Sequence, residues 1–323
     1  MEGSVSFRPQ PVASGASRAL LLDRPDFEFV AAGFRALLPT SFELESNLRG
    51  VIEDTLGHRG SLFRAQLVYA AARRRGLAAA KARELAVAIE YFHTASLLFD
   101  DLPAMDDARE RRGFACAHVR HGEAAAMLGA LALINQGYAL LWRVLGGLSP
   151  RRSEKAAQLV NECLGLHGIL NGQSRDLHFQ KSARGEREVL AVAQGKTVTL
   201  IRLTLLLPAL ATGARRQEVE ELEKLASAWG HAYQIADDFK DLLMEDAEIG
   251  KSVRRDDQLG RPNLPVAIGR AAAMARLEDW LRQGRASIAR LGDYPELGKL
   301  QQVLEGEAAE VAARLAGSER ACA

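Results

Sequence analysis

The chain has 323 residues, 48% hydrophobic and 26% charged, with a formal charge of +1. That balance describes a globular protein with a sizeable core and excludes a global field that would draw in nucleic acid or an anionic membrane. Its three cysteines, Cys116, Cys163 and Cys322, are odd in number and unpatterned. They fit a reducing compartment and offer neither a disulfide framework nor a zinc site.

Aromatic residues are scarce while Ala, Leu, Glu and Arg dominate, a composition that favours helix. The N-terminus, Met-Glu-Gly-Ser, has no basic segment leading into an apolar core. No signal peptide is read there, and a cytoplasmic location is expected. Residues 1–25 mix Pro, Ser, Gly and Arg without period and are expected to form a flexible arm, with residues 26–323 as a single domain.

A short helix is expected around Phe27–Leu38, ended by Pro39, with Thr40 or Ser41 capping the next as far as Leu56. Gly57 to Ser61 break the pattern, and Leu62–Arg75 resume it. Lys81–Phe99 form a long apolar helix that Pro103 follows with a turn. Further helices are expected over Gly122–Leu145, Ser153–Asn171, Arg187–Leu207 and Glu218–Leu243. A polar loop, Gly250–Pro265, precedes the last two, Val266–Leu291 and Pro295–Leu315. Ala124–Leu145 comes nearest to a membrane span, but Asn135, Gln136 and Arg143 interrupt it, so it reads as a buried helix. No alternating run suggests a sheet and no fixed-period repeat is present. The fold class is all-α, a helical bundle large enough to hold a pocket between its helices.

Two acidic clusters stand out. Asp100, Asp101, Asp106 and Asp107 fall within eight positions, directly after the apolar run and just before Arg111 and Arg112. Carboxylates packed so closely repel unless a cation lies among them, and the usual remedy is a hard divalent ion with oxygen ligands. The second cluster is Asp237, Asp238 and Asp241; on a helix, Asp237 and Asp241 share a face. Acidic runs are most often solvated helix faces. Here both clusters follow strongly apolar segments, which favours a buried magnesium-bridged diphosphate site.

The order D-D-L-P-A-M-D, R-R-G, G-Q-S-R-D-L, G-K-T, Y-Q-I-A-D-D-F-K-D and G-K-S, from about Gly60 to Pro265, resembles the trans-isoprenyl diphosphate synthases, or polyprenyl synthetases. Within that family it is similar to the geranylgeranyl diphosphate synthases. The resemblance implies an isoprenoid-synthase-type bundle with a deep central cavity, usually a homodimer. It also implies a Mg2+-dependent prenyltransferase that joins isopentenyl diphosphate to an ionised allylic diphosphate. Carried over by position, Asp100, Asp101, Asp106, Asp237, Asp238 and Asp241 would hold the metal, with Asp107 a bystander. Arg111, Lys196, Thr197, Gln234 and Lys251 would contact the allylic diphosphate, and Arg64, His93 and Arg112 the isopentenyl diphosphate.

This chain departs from the pattern at the second substrate. The family's Gly-Gly-Lys-Arg-Leu-Arg-Pro becomes Arg59-Gly60-Ser61-Leu62-Phe63-Arg64-Ala65, placing Ser61 where a lysine is expected, with Arg59 as a candidate replacement. Phe114-Ala115-Cys116 and Arg261 are milder departures. Ala95 and Ser96, one turn before Asp100, are small. In this family small residues there imply a product longer than fifteen carbons, with twenty the first expectation, and Leu98, Met127 or Leu128 as a possible floor. Two other readings remain open: a lyase that quenches the allylic cation without condensation, and a modifying subunit of another synthase.

Overall fold

The structure, a computed structural model, describes residues 21–41, 43–179, 185–247, 261–292 and 294–321. The first helix, α1 (Arg24–Ala36), is capped by Asp23, whose carboxylate accepts the Asp26 amide at 2.9 Å. Next, α2 (Ser46–Gly57) starts later than Thr40 or Ser41 would have placed it. Glu45 caps it instead, accepting the amides of Asn47 and Leu48 at 2.9 and 3.1 Å. A side chain that satisfies two of the orphaned first-turn donors outcompetes hydroxyls several residues upstream.

Helices α3 (Phe63–Arg74) and α4 (Ala79–Asp100) lead to a small hairpin, β1 (Glu110–Arg111) and β2 (Phe114–Ala115). Strands of two residues are too short for alternation to reveal them. After α5 (Ala117–His121) and α6 (Glu123–Leu145), the single helix expected over Ser153–Asn171 is two: α7 (Pro150–Leu164) and α8 (Ile169–Leu177). They part at Gly165 and Gly168. A Cβ at Gly168 would lie 2.1 Å from the Cys163 carbonyl oxygen, so only glycine permits that tight reversal.

Helix α9 (Glu186–Ala193) runs through a π turn, Gln194–Val198, into α10 (Thr199–Ala211). Then come α11 (Arg216–Ala247), α12 (Leu264–Ile268), α13 (Arg270–Leu291) and α14 (Pro295–Ala321). Gly269, at φ +89°, separates α12 and α13, which the sequence reads as one helix.

The core forms around α4, which lies between α3 and α6. Gly137 on α6 makes that approach possible, since a Cβ there would meet the Phe92 ring at 2.9 Å. Tyr91 is fully buried and donates its hydroxyl to the Phe34 carbonyl at 2.7 Å, tying α4 to α1. Each large apolar side chain buried in this way contributes about 1.5–3 kcal/mol. A second centre forms where α10 meets α3, α7 and α11, and α11 packs on α13 and α14. There Trp229 donates to Gln301, which in turn donates to the Leu281 carbonyl, so the buried polar atoms are paired.

Glu123–Leu145 and Glu186–Ala211 are long and apolar enough to cross a bilayer, but both are built into the bundle. Residues 21 and 22 belong to the folded body: Leu21 and Leu22 are buried, and Gln66 accepts both their amides. Asp23 to Pro25 form the cap and start of α1, so the folded body begins earlier than the expected boundary at residue 25, and residues 1–20 lie outside the described residues.

Candidate active site

The C-terminus of α4 delivers the first acidic cluster. Asp100 is its last residue and Asp101 its cap. The chain then folds back, with the Asp106 amide donating to the Asp100 carbonyl at 2.9 Å and the Ala108 amide to that of Asp101 at 3.1 Å. This return brings Asp106 beside Asp100. Asp107 occupies the left-handed region at φ +48°. The hairpin turn follows, with Arg112 at φ +56° and Gly113 at φ +81°. Two consecutive left-handed residues suit the native twist of a two-residue hairpin.

Arg111 leaves this hairpin and grips Asp101 with two nitrogens, Nε at 2.8 Å and Nη2 at 2.6 Å. Both nitrogens converge on Oδ1 of the buried Asp101, a charge-assisted contact to a single oxygen. Asp100 has no such partner among the described residues. Burial pushes its pKa up to about 6; Lys196 and Arg111 oppose the rise, while Asp106 and Asp176 add to it.

The π turn supplies the next wall. A π turn inserts an extra residue into a helix and often marks a functional site. Here it carries Lys196 and Thr197. Gly172 on α8 makes room for it: a Cβ at Gly172 would sit 2.2 Å from the Gly195 carbonyl carbon. That backbone contact brings α8 close enough for Lys196 Nζ to reach Asp176 at 2.6 Å. Burial works against the Lys196 charge, but Asp176 and Asp100 outweigh it and hold its pKa above the usual value.

On α11, Gln234 links the π turn to the second cluster. Thr197 donates to Gln234 at 2.7 Å, and Gln234 donates to Asp238 at 2.9 Å. The other Asp238 oxygen accepts the Leu264 amide at 2.9 Å, and Asn263 donates to the Asp238 carbonyl at 3.0 Å. Asp238 is buried, with protein donors on both carboxylate oxygens. Asp237 and Asp241 are half-buried on the side of α11 away from Phe239, which lies in the core.

Arg261 ties the first cluster to Asp176. It pairs with Asp106 at 2.5 Å and Asp176 at 3.3 Å and donates to the Met105 carbonyl at 3.2 Å. Three residues on, the chain is anchored to Asp238 through Asn263 and Leu264. Residues 261–264 therefore form a strap between the walls. The sequence reading missed Asp176 and the bridging role of Arg261, although both lie in recognised stretches. Nothing in the spacing shows that Asp176 would face Lys196, because the α7–α8 break and the π turn set that contact. Lys251 lies outside the described residues.

The residues that the resemblance assigns to the second substrate pocket, Arg64 and Arg112, gather around His93. His93, on α4, and Arg64, in the first turn of α3, each carry a buried nitrogen, Nδ1 and Nε, with no partner among the described residues. Burial, followed by the charges of Arg64, Arg112 and Arg111, holds the His93 pKa well below its usual value, so the ring is neutral. Arg112 lies against Gly60, where a Cβ would be 2.1 Å from Nη1. Ser61 is exposed. Arg59, the candidate replacement for the missing lysine, stacks over Phe27 with its guanidinium carbon 5.6 Å from the ring centroid.

Ala95 is fully buried, and the half-buried Ser96 donates to the His93 carbonyl at 2.8 Å. Met127 and Leu128 do not form a floor within this chain, since both are exposed on the outer face of α6.

The donor set fits magnesium in a particular way. Among the described residues no three acidic, histidine or cysteine side chains gather around one point. Arg111, Lys196 and Arg261 intervene. Magnesium commonly takes one or two carboxylates and completes its octahedron with water and substrate phosphate. Asp100, with burial and its acidic neighbours raising its pKa, is short of positive charge in just that sense.

The family model for polyprenyl synthetase matches residues 45–295. The chain is 32% identical to the farnesyl diphosphate synthase of Escherichia coli K12, over 72% of this chain and 79% of that protein. It is 30% identical to the geranylgeranyl diphosphate synthase of Pantoea ananas, over 62% and 64%. The fold matches an FPP/GFPP synthase from Zymomonas mobilis with a TM-score of 0.72 at 23% identity, over 88% of this chain and 96% of that one. It also matches a Helicobacter pylori geranyltransferase solved with magnesium and isoprenyl diphosphate, with a TM-score of 0.68 at 23% identity, over 90% and 99%. By the extent of the family match and by the fold, this chain belongs to the polyprenyl synthetase family and is an enzyme of the prenyltransferase class.

Proposed function

We propose that this prenyltransferase uses Mg2+ to condense isopentenyl diphosphate with an allylic diphosphate, giving a trans-polyprenyl diphosphate in the C20 range. The observation that carries this reading is the strap from Arg261 to Leu264. It joins Asp106 to Asp238, which supports the reading that both acidic clusters and Lys196 serve one site. Arg111 connects that site to the second pocket, since its charge acts on Asp100 and on His93.

Asp100, Asp101, Asp106, Asp237 and Asp241 supply the oxygen ligands, while Asp238 braces α11 against the strap. When bound, magnesium supplies positive charge to the diphosphate oxygens as the allylic C–O bond breaks. Arg111, Lys196 and Lys251 direct fixed positive charge at the same oxygens. Thr197 and Gln234 position that wall through their hydrogen bond. Arg64, the neutral His93 and Arg112 hold isopentenyl diphosphate so that its double bond meets the allylic cation.

The test incubates the protein with Mg2+ and farnesyl diphosphate, with and without isopentenyl diphosphate. Elongation only when both are present supports the reading. A hydrocarbon or alcohol from farnesyl diphosphate alone would instead identify a lyase, the alternative that Ser61 favours. Inactivity rescued by another chain would identify a modifying subunit.

Product length follows from the small residues before Asp100. Ala95→Phe is expected to shorten the main product by at least one isoprene unit, read by chromatography of the dephosphorylated prenols. Ala95 is fully buried, so the added ring also costs about 1–3 kcal/mol through overpacking. An unchanged product distribution would sink the assignment.

The outer face of α6 supports a homodimer. Met127, Leu128, Leu131 and Trp142 are 40%, 54%, 52% and 72% exposed, and together they give a soluble chain a long apolar surface. Leu131→Glu is expected to reduce the mass seen by light scattering from twice to once the 35.1 kDa of the chain. The reading includes a cytoplasmic location, where both diphosphates are water-soluble substrates.

A further inference from the structure

The second pocket has a buried acid to which no role has yet been given. Glu90 lies on α4, one turn before His93, and is 5% exposed. Its Oε2 accepts the Ala65 amide at 2.9 Å. Leu62, the residue just before α3, lies in the left-handed region at φ 52°, and no side-chain hydrogen bond from it caps the helix. Glu90 therefore supplies from α4 the acceptor and negative charge that this helix start lacks. That contact fixes the first turn of α3, which carries Arg64.

Glu90 also has a charge relation to both arginines of the pocket. Burial pushes its pKa up, while Arg64, the Ala65 amide and Arg112 draw it down. Among the described residues, however, neither arginine forms an ion pair with it, and Arg64 Nε has no partner at all. A direct fork would have used up the donors that a diphosphate needs. Two guanidinium groups brought together with no acid between them would repel each other apart. Glu90 relieves that repulsion without occupying the hydrogen-bonding edges.

We propose that Glu90 is the positioning residue of the second anion pocket, setting Arg64 and Arg112 for a diphosphate through the start of α3 and through its charge. The inference rests on the reading of that pocket as the isopentenyl diphosphate site. It makes the pocket sensitive to Glu90, because with Ser61 in place of lysine the two arginines are its main cations.

Glu90→Gln tests this, because glutamine keeps the length and the oxygen acceptor but removes the charge. The expected result is a rise of at least tenfold in KM for isopentenyl diphosphate, with KM for the allylic substrate within twofold of the parent. Calorimetric binding of isopentenyl diphosphate to metal-free protein is expected to weaken by the same factor. That second readout separates the two claims. If the parent binds isopentenyl diphosphate but does not condense it, the proposed reaction fails while the role of Glu90 is still measured. An unchanged or lower KM, or unchanged binding, overturns the proposal. Equal losses for both substrates, or failure of both Glu90→Gln and Glu90→Asp to fold, would assign Glu90 to the scaffold alone and overturn it as well.

Discussion

Asp100→Asn is expected to lower kcat/KM by about 10²–10³-fold while raising the melting temperature of the metal-free protein. On the metal-binding role proposed for Asp100, the loss of activity follows from removing an anionic ligand where charge develops on the leaving group. The gain in stability follows from the position of the carboxylate. Burial, reinforced by Asp106 and Asp176, raises its pKa from 3.8 to about 6 despite Lys196 and Arg111. A raised carboxyl pKa favours the folded state only while the group holds its proton. Its penalty is absent below about pH 4, grows as pH rises towards 6, and is complete above that. A rise of about two units caps the effect near 3 kcal/mol. Solvent reaching this half-buried group reduces it to about 1–2 kcal/mol. Melts of parent and variant in chelator should therefore separate by a few degrees at pH 7.5 and converge near pH 4. Added Mg2+ should raise the melting temperature of the parent more than that of the variant. A variant that is no more stable at pH 7.5 would show that Asp100 carries no such burden.

The second large effect is expected at Ser61. Ser61→Lys should lower KM for isopentenyl diphosphate by about tenfold or more and leave KM for the allylic substrate unchanged. One charged hydrogen bond to the substrate contributes roughly 1.5–3 kcal/mol. The backbone there is already held, since Gln66 donates to the Ser61 carbonyl at 2.9 Å, so the longer side chain starts from a fixed point. Arg59 does not supply this charge in the structure, because it stacks on Phe27. Steady-state kinetics at two salt concentrations measures the effect, and the gain should shrink as salt rises. Unchanged kinetics would mean that the pocket is complete with Arg64, His93 and Arg112 alone.

Much of the architecture was legible in the sequence because the chemistry is local. Apolar periodicity located α4, α6 and α11, and Pro103 marked the turn after Asp101. The first aspartates lie at a helix end, and the i, i+4 spacing of Asp237 and Asp241 is a property of any helix. The misses have a different origin. Gly165 and Gly168 look like unremarkable small residues until the backbone is seen passing within contact distance. The π turn leaves no hydrophobic signature, because the apolar pattern continues through it. Asp176 and Arg261 are separated by more than eighty positions, and their pairing depends on both those irregularities. Asp238 illustrates the remaining limit: the family resemblance groups it with the ligands, and the sequence does not show that its two oxygens accept from Gln234 and the Leu264 amide.

The π turn also bears on how this protein can change over generations. It has one residue more than the helix would need, so no series of point substitutions returns Gln194–Val198 to regular α-helix. Removing one residue would, and everything beyond it would rotate by about 100°. Lys196 would swing away from Asp176, or the buried face of α10 would leave its place against α3 and α7. The extra residue is thus locked in by two demands at once, the Lys196–Asp176 ion pair and the packing of α10. Variation in this stretch should therefore appear as exchanges of side chain at constant length. A deletion there is expected to abolish folding and activity together.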